Sequence, residues 1–148
     1  RLIVGKNTSE KHQKDIELIL MIFALSNYRW KAYEKPMKEY LNLHMRKNRK
    51  GKSREVKLFS EQFLQTCELI IKKLGNKPFH IRGPLNTSVL DSVFCNIFDN
   101  LDKVPSDLEK RYKKLLQNND FLEGTTAGTT DTLVVRNRFQ KAEELLIN

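Results

Sequence analysis

Apolar side chains recur every three or four residues along most of the chain, which is the spacing of helices with one buried face. β-branched residues never alternate with polar residues over more than a few positions, so no strand is expected. The most strand-like run, residues 132–135, continues into a helical pattern. The pattern predicts an all-α fold, an irregular bundle of about six helices over residues 9–27, 36–45, 58–74, 86–101, 105–118 and from 131 onward.

Capping residues set the bounds of these helices. Ser9 is a candidate N-cap for the first helix, and Asn86 or Thr87 for the fourth. Gly75 follows the third helix, where a glycine commonly ends one. Residues 77–85 hold two prolines and a glycine and are expected to be irregular.

Two of these helices have apolar patterns that predict how they pack. In the first, apolar residues between 16 and 25 wrap nearly all round the helix, so we expect it to be the central one. The second helix is predicted to turn one stripe inward, formed by Met37, Tyr40, Leu41 and Met45.

Length and composition fit one helical domain over residues 1–148, with 39% hydrophobic and 30% charged residues. The chain begins with Arg1 rather than Met, so we expect a processed product or a fragment of a longer protein. No apolar run is long enough for a membrane span and no signal peptide is evident. Cys67 and Cys95 stand among apolar neighbours and are interpreted as small buried residues of a reducing cytoplasm.

The net charge of +9 favours a polyanionic partner, nucleic acid above all, although such a surplus also serves solubility. The surplus is concentrated in residues 46–57, which we call the basic segment. Gly51 and Ser53 predict a mobile loop there, opposed in charge only by Glu55. This loop is either a solvated connection between helices or an arm that follows DNA phosphates without reading sequence. Its basic residues are Arg46, Lys47, Arg49, Lys50, Lys52, Arg54 and Lys57.

Catalytic motifs are not evident in the sequence. His12, His44 and His80 lack the partners that metal binding or general base catalysis needs, and we expect them at the surface or at an interface. No phosphate-binding P-loop is present. The sequence therefore predicts a chain that is not itself an enzyme and has no cofactor or metal site.

A second candidate site is the small-residue loop of residues 125–130, which leads into the last helix. Free backbone N–H groups, hydroxyls and the positive end of a helix together can hold an anion. The alternative is an ordinary loop with a threonine or Asp131 as the N-cap of the helix. Arg136 and Arg138 lie two apart on the helix, so at most one is expected to face the anion and the other to pair with an acid. The candidate anion ligands are Thr126, Gly128, Thr129, Thr130 and Arg138.

Several motifs, taken in order, resemble one known family. They are Asp15-Ile-Glu-Leu-Ile-Leu20 with Phe23-Ala-Leu25, then Met37…Tyr40-Leu-Asn42…Met45, then Pro84-Leu-Asn-Thr-Ser-Val-Leu-Asp91, and finally Phe121…Thr126…Thr129-Thr130…Val135-x-x-Arg138-Phe139. Together they are similar to the helical region of GmrSD-type proteins, some of which belong to modification-dependent restriction and phage-defence systems. The similarity extends from Asp15 to about Ala142, although an arginine expected after Leu20 is Met21 here.

The resemblance implies a function that depends on a longer protein. In such proteins a ParB/sulfiredoxin-like N-terminal domain carries two motifs for nucleotide hydrolysis, Asp-Gly-Gln-Gln-Arg and an upstream Gln-Arg. Neither motif occurs in this chain. The resemblance thus implies a non-catalytic helical domain of a DNA-defence protein that contacts DNA through the basic segment. The competing hypothesis is an interaction module that docks on the missing N-terminal domain or on an oligomeric partner.

Overall fold

The computed structural model describes residues 9–148, with side chains described from residue 13 onward. The part of the chain described is helical, with seven α-helices, two short 3₁₀ turns (Arg29–Ala32 and Leu101–Lys103) and no strand. The predicted all-α irregular bundle is therefore confirmed. The α-helices are α1 Ser9–Leu25, α2 Met37–Lys47, α3 Arg54–Leu74, α4 Thr87–Asp99, α5 Leu108–Leu115, α6 Asn119–Glu123 and α7 Thr132–Leu146.

The centre of the bundle is α4, and the prediction that the first helix would be central is wrong. Eleven residues of α4 are buried, whereas Ile16 and Ile19 of α1 remain 66% and 36% exposed. Polar residues of α4 are buried together with their partners, some of which lie in the helix itself: Ser92 Oγ donates to Ser88 O at 2.7 Å. The helices α1, α3 and α7 pack around α4.

Aromatic rings join α3 to its neighbours. Phe59 lies 5.0 Å from Phe23 of α1 and 5.4 Å from Phe98 of α4, measured between ring centroids. Phe63 lies 5.1 Å from Phe94. Because residues 59 and 63 of α3 meet residues 98 and 94 of α4, these two helices run antiparallel, and the long α3 is fixed along its N-terminal half.

Caps explain where the helices begin and end. Asn86 accepts hydrogen bonds from Ser88 N and Val89 N at 3.1 and 3.0 Å, which confirms it as the cap of α4. Gly75 ends α3 with a φ of 81°. The fifth helix is shorter than the predicted 105–118, and α6, which was not predicted, begins after Asn118, whose side chain accepts from Phe121 N at 3.0 Å.

The start of the bundle differs from the prediction in two places. The first helix ends at Leu25 because Asn27 and Tyr28 take left-handed conformations with φ of 55° and 58°. Both backbone N–H groups donate to the carboxylate of Asp99, at 2.6 and 3.0 Å. In α2, Leu41 is buried, but Met45 is 53% exposed and does not belong to the inner stripe.

Candidate nucleic-acid interface

The seven cations of the basic segment occupy one helical hairpin rather than one long loop. Arg46 and Lys47 lie in the last turn of α2, and Arg54 and Lys57 in the first turns of α3, so the predicted loop is shorter than residues 46–57. Between the helices, the turn carries Arg49, Lys50 and Lys52. All seven side chains are exposed.

Hydrogen bonds within the turn define its shape. Asn48 Nδ2 donates to His44 O at 3.0 Å, and Ser53 Oγ donates to Asn48 Oδ1 at 3.0 Å. Ser53 Oγ also accepts from Val56 N at 3.2 Å, so Ser53 starts α3 instead of breaking a helix. Gly51 supplies the positive φ of 58°. The polar groups of the turn are thus bonded to one another, while the cationic side chains extend into solvent.

The charge of the basic segment is not neutralised within the part of the chain described. Its one acid, Glu55, pairs instead with Arg29, which precedes α2. The same arginine bonds to carbonyl groups at the end of α1, among them Ala24 O at 3.3 Å. Seven ion pairs are formed among the described residues, and none includes a cation of the basic segment.

His44 lies beneath this hairpin and is 8% exposed, which corrects the expectation of a surface or interface histidine. Its ring packs 4.7 Å from the ring of Tyr40. Burial lowers the pKa of His44 below its usual value near 6.5, and the nearby positive charges of Arg29 and Lys47 lower it to a smaller extent. His44 is therefore neutral at pH 7 and supports the hairpin by packing. His80 is half-buried, and the side chain of His12 lies outside the described residues.

Arg138 is buried against an aspartate, which corrects its assignment as an anion ligand of the 125–130 loop. Its side chain is 1% exposed and Nη2 lies 2.8 Å from Asp91 Oδ2 of α4. Nη1 donates to Gly124 O at 2.9 Å and Thr129 O at 3.0 Å. The other arginine, Arg136, pairs with a glutamate at 2.8 Å. Arg138 therefore holds the loop in place by donating hydrogen bonds to backbone carbonyl groups at both of its ends.

The remaining ligands proposed for the loop are also bonded internally or lie at its surface. Thr126 Oγ1 donates to Glu123 O at 3.1 Å, and Thr130 O accepts from the hydroxyl of Tyr33 at 2.6 Å. Gly128 is exposed with a φ of 58°, and Thr129 is half-buried. At the start of α7, where the anion was expected to bind, the carboxylate of Asp131 pairs with Lys35 at 2.7 Å. These bonds give the loop a structural role.

The aromatic residues after α1 belong to the packing of the bundle. Trp30 and Tyr33 are buried, and the ring of Trp30 lies 5.6 Å from that of Phe139. Tyr28 is 36% exposed, with Lys31 Nζ 4.9 Å from its ring centroid. Neither Trp30 nor Tyr33 is placed to stack on a nucleic-acid base.

An open depression of about 410 Å³ lies between α6 and α7. It is lined by Asp120, Glu123, Asn137, Gln140, Lys141 and Glu144. Lys141 pairs with Glu144 at 3.0 Å, which leaves an acidic surface that repels phosphates. Over the described residues, no group of three or more His, Cys, Asp or Glu side chains is placed to hold a metal ion.

The two cysteines are free thiols. Cys95 is buried in α4, and Cys67 is half-buried in α3. Burial raises the pKa of Cys67 to about 11, and the pKa of Cys95 is also raised by burial. Both thiols therefore stay protonated at neutral pH and act as small packed side chains.

Comparison of the chain with protein-family models, with curated proteins and with solved structures finds no match. The similarity to GmrSD-type proteins therefore rests on the quoted motifs alone. Among the helices described, none combines the length and apolar character that crossing a membrane requires.

Proposed function

We propose that this chain is a cytoplasmic helical domain that contacts duplex DNA without reading its sequence, and that the basic segment forms the contact. The observation that supports the proposal is the set of seven exposed cations on one hairpin, none of them paired with an acid in the described part of the chain. Cations of this kind bind phosphates and release the condensed counterions of DNA. Such contacts hold a duplex but carry no sequence information.

The ordered turn supports this proposal because it sets the cations at fixed positions. Arg49, Lys50 and Lys52 project from a turn whose backbone is held by Asn48 and Ser53. A preformed cationic surface loses less conformational entropy on binding than a flexible chain does. We propose further that the domain belongs to a restriction-type or phage-defence protein, on the strength of the motif resemblance.

The test is fluorescence anisotropy with a 20-base-pair duplex over a series of salt concentrations. The variant replaces Arg49, Lys50 and Lys52 with Ser, and so removes three charges without touching the helices. Removing one cation that binds a phosphate should reduce the slope of log affinity against log salt by about 0.9. We expect the variant to bind more weakly and with a shallower slope than the native chain.

The control removes the same charge elsewhere, by replacing Lys14, Lys38 and Lys103 with Gln. These lysines are exposed and lie outside the basic segment. If both triple variants weaken binding equally, the net charge and not the hairpin attracts DNA. If the native chain does not bind the duplex at low salt, the proposed function is wrong.

A second candidate function, docking on another protein, is favoured by exposed apolar side chains. Ile16, Leu64 and Leu133 are 66%, 64% and 68% exposed. Burial of such side chains against the N-terminal part of a longer protein, or against an oligomeric partner, would be driven by the hydrophobic effect and respond little to salt. For a second copy of the chain, sedimentation velocity at high salt is the test, and a monomer at all concentrations would exclude that partner.

A further inference from the structure

A second group of cations lies at the opposite end of α3 from the basic segment. Lys72 and Lys73 are in the last turn of the helix, and Lys77 follows Gly75. We call these three residues the distal basic cluster. Lys72 and Lys77 are exposed, Lys73 is half-buried, and none of the three forms an ion pair within the described part of the chain.

The neighbouring α5 extends this positive surface. The connection after α3 packs on α5, because Tyr112 donates its hydroxyl hydrogen to Pro78 O at 2.6 Å. The α5 residues Lys110 and Lys114 are exposed and are also outside the ion pairs of the described residues. The acids at the start of α5, Asp107 and Glu109, pair with cations of that helix. The distal basic cluster therefore lies beside further positive charge.

One residue of each basic group lies on the same side of one rigid helix. Arg54 and Lys72 are about five turns apart in α3, so they leave the helix axis in the same direction, ~27 Å from each other. Phe59 and Ile70, which point the opposite way, are buried in the core. Arg54 and Lys72, one residue from each basic group, therefore face solvent on the outer side of α3.

The outer side of α3 carries no cation between its two ends. Glu61, Leu64, Gln65 and Glu68 occupy this middle part, and all four are exposed. The two glutamates repel phosphates, so attraction to a polyanion is confined to the two ends of the helix. Positive charge at a helix C-terminus also complements the helix dipole, but that effect gives no reason for Lys77 or for the alignment of Lys72 with Arg54.

We propose that the distal basic cluster is a second DNA contact, so that a duplex lies along the outer side of α3 and is held at both ends. The inference rests on the proposed function. One turn of B-DNA is about 34 Å long, and the ~27 Å between Arg54 and Lys72 plus the reach of their side chains matches that length. The chain then contacts phosphates about one helical turn apart, and needs more than about ten base pairs to engage both groups.

The experiment compares binding to 8-base-pair and 20-base-pair duplexes by anisotropy at several salt concentrations. The proteins are the native chain, the variant with Lys72, Lys73 and Lys77 replaced by Gln, and the matched control with Lys14, Lys38 and Lys103 replaced by Gln. After correction for the number of registers on each duplex, the native chain should prefer the longer one at least tenfold. The distal variant should lose that preference and up to about 2.7 from the salt slope on the longer duplex, since each phosphate contact contributes about 0.9.

A further variant, Glu61→Gln with Glu68→Gln, tests the same geometry without removing a cation. It should bind the longer duplex several-fold more tightly than the native chain does, with a smaller gain on the shorter duplex. If the native chain binds neither duplex, the proposed function fails and this inference with it. If the native chain binds, but the distal variant matches the control variant on both duplexes, the inference alone is refuted.

Discussion

The ion pair between Arg138 and Asp91 is the most heavily buried charged contact among the described residues, and its removal provides the sharpest test of the fold. The two side chains are 1% and 3% exposed and meet at 2.8 Å. They join α7 to α4 at the centre of the bundle, and the same guanidinium holds the carbonyls of Gly124 and Thr129. Removal of the arginine leaves an uncompensated carboxylate in the core.

Replacement of Arg138 by Met should lower the free energy of unfolding by about 3–5 kcal/mol at pH 8, which is the usual cost of removing one partner of a buried pair. The decrease should depend on pH. Burial raises the pKa of Asp91 to about 6 even with the arginine present, and removal of the arginine's charge raises it further. At pH 5 the carboxyl is then protonated in the variant, so the decrease should be about 1–3 kcal/mol smaller than at pH 8.

Urea denaturation followed by circular dichroism at pH 5 and pH 8 measures both effects. Arg136→Met is the matched control, since Arg136 lies on the same helix but pairs with the exposed Glu34. This substitution should cost at most about 1 kcal/mol, as for exposed ion pairs generally. Equal costs in the two variants would refute the structural role of the buried pair. A cost for Arg138→Met that stays the same from pH 8 to pH 5 would show that the charge of Asp91 is not its cause.

Three further predictions concern stability and use the same urea assay. Burial raises the pKa of Asp99 to about 6, above the value near 3.9 expected for the unfolded chain. Its contribution therefore favours folding below about pH 4 and is lost as the pH rises through 6. The unfolding free energy of Asp99→Asn should change less with pH over this range than that of the native chain, and a pH profile equal to the native one would contradict this. Ser53→Ala should cost about 1 kcal/mol by removing the cap of α3, whereas Ser60→Ala on the exposed side of the same helix should cost less. Phe94→Ala should cost about 3–5 kcal/mol because the ring is fully buried between α3 and α4, and a cost below 1 kcal/mol would place that ring outside the core.

The sequence predicted the fold class and most helices because their apolar periodicity and their caps act locally. Asn86 and Gly75 mark helix ends through hydrogen bonds and backbone conformations that involve only near neighbours. The order of burial is not local. The helix α4 is on average more apolar than α1, which is a signal for its central place that the sequence carries. Only the packed arrangement shows how its polar residues are accommodated, since buried Asn96 donates through Nδ2 to Phe139 O of α7 at 3.0 Å.

The role of Arg138 was missed although the sequence carries a signal for it. Arg138 follows Val135 by three residues and precedes Ala142 by four, so it lies on the apolar side of α7 with them. Asp91 likewise interrupts an apolar run in α4. A charge on the buried face of each of two helices indicates a buried pair, which is a stronger interpretation than an anion site at a loop.

Among the described residues, the ion pairs leave two groups of unpaired cations at the ends of α3. The seven ion pairs among the described residues take their cations from the first 3₁₀ turn, the segment before α2, α5 and α7. Neither the basic segment nor the distal basic cluster contributes a cation to them. An excess kept only for solubility would not need an ordered turn at one end of a rigid helix and an aligned lysine at the other. The net charge alone therefore says little about function, and our proposal of a duplex as the partner rests on the arrangement of the unpaired cations along α3.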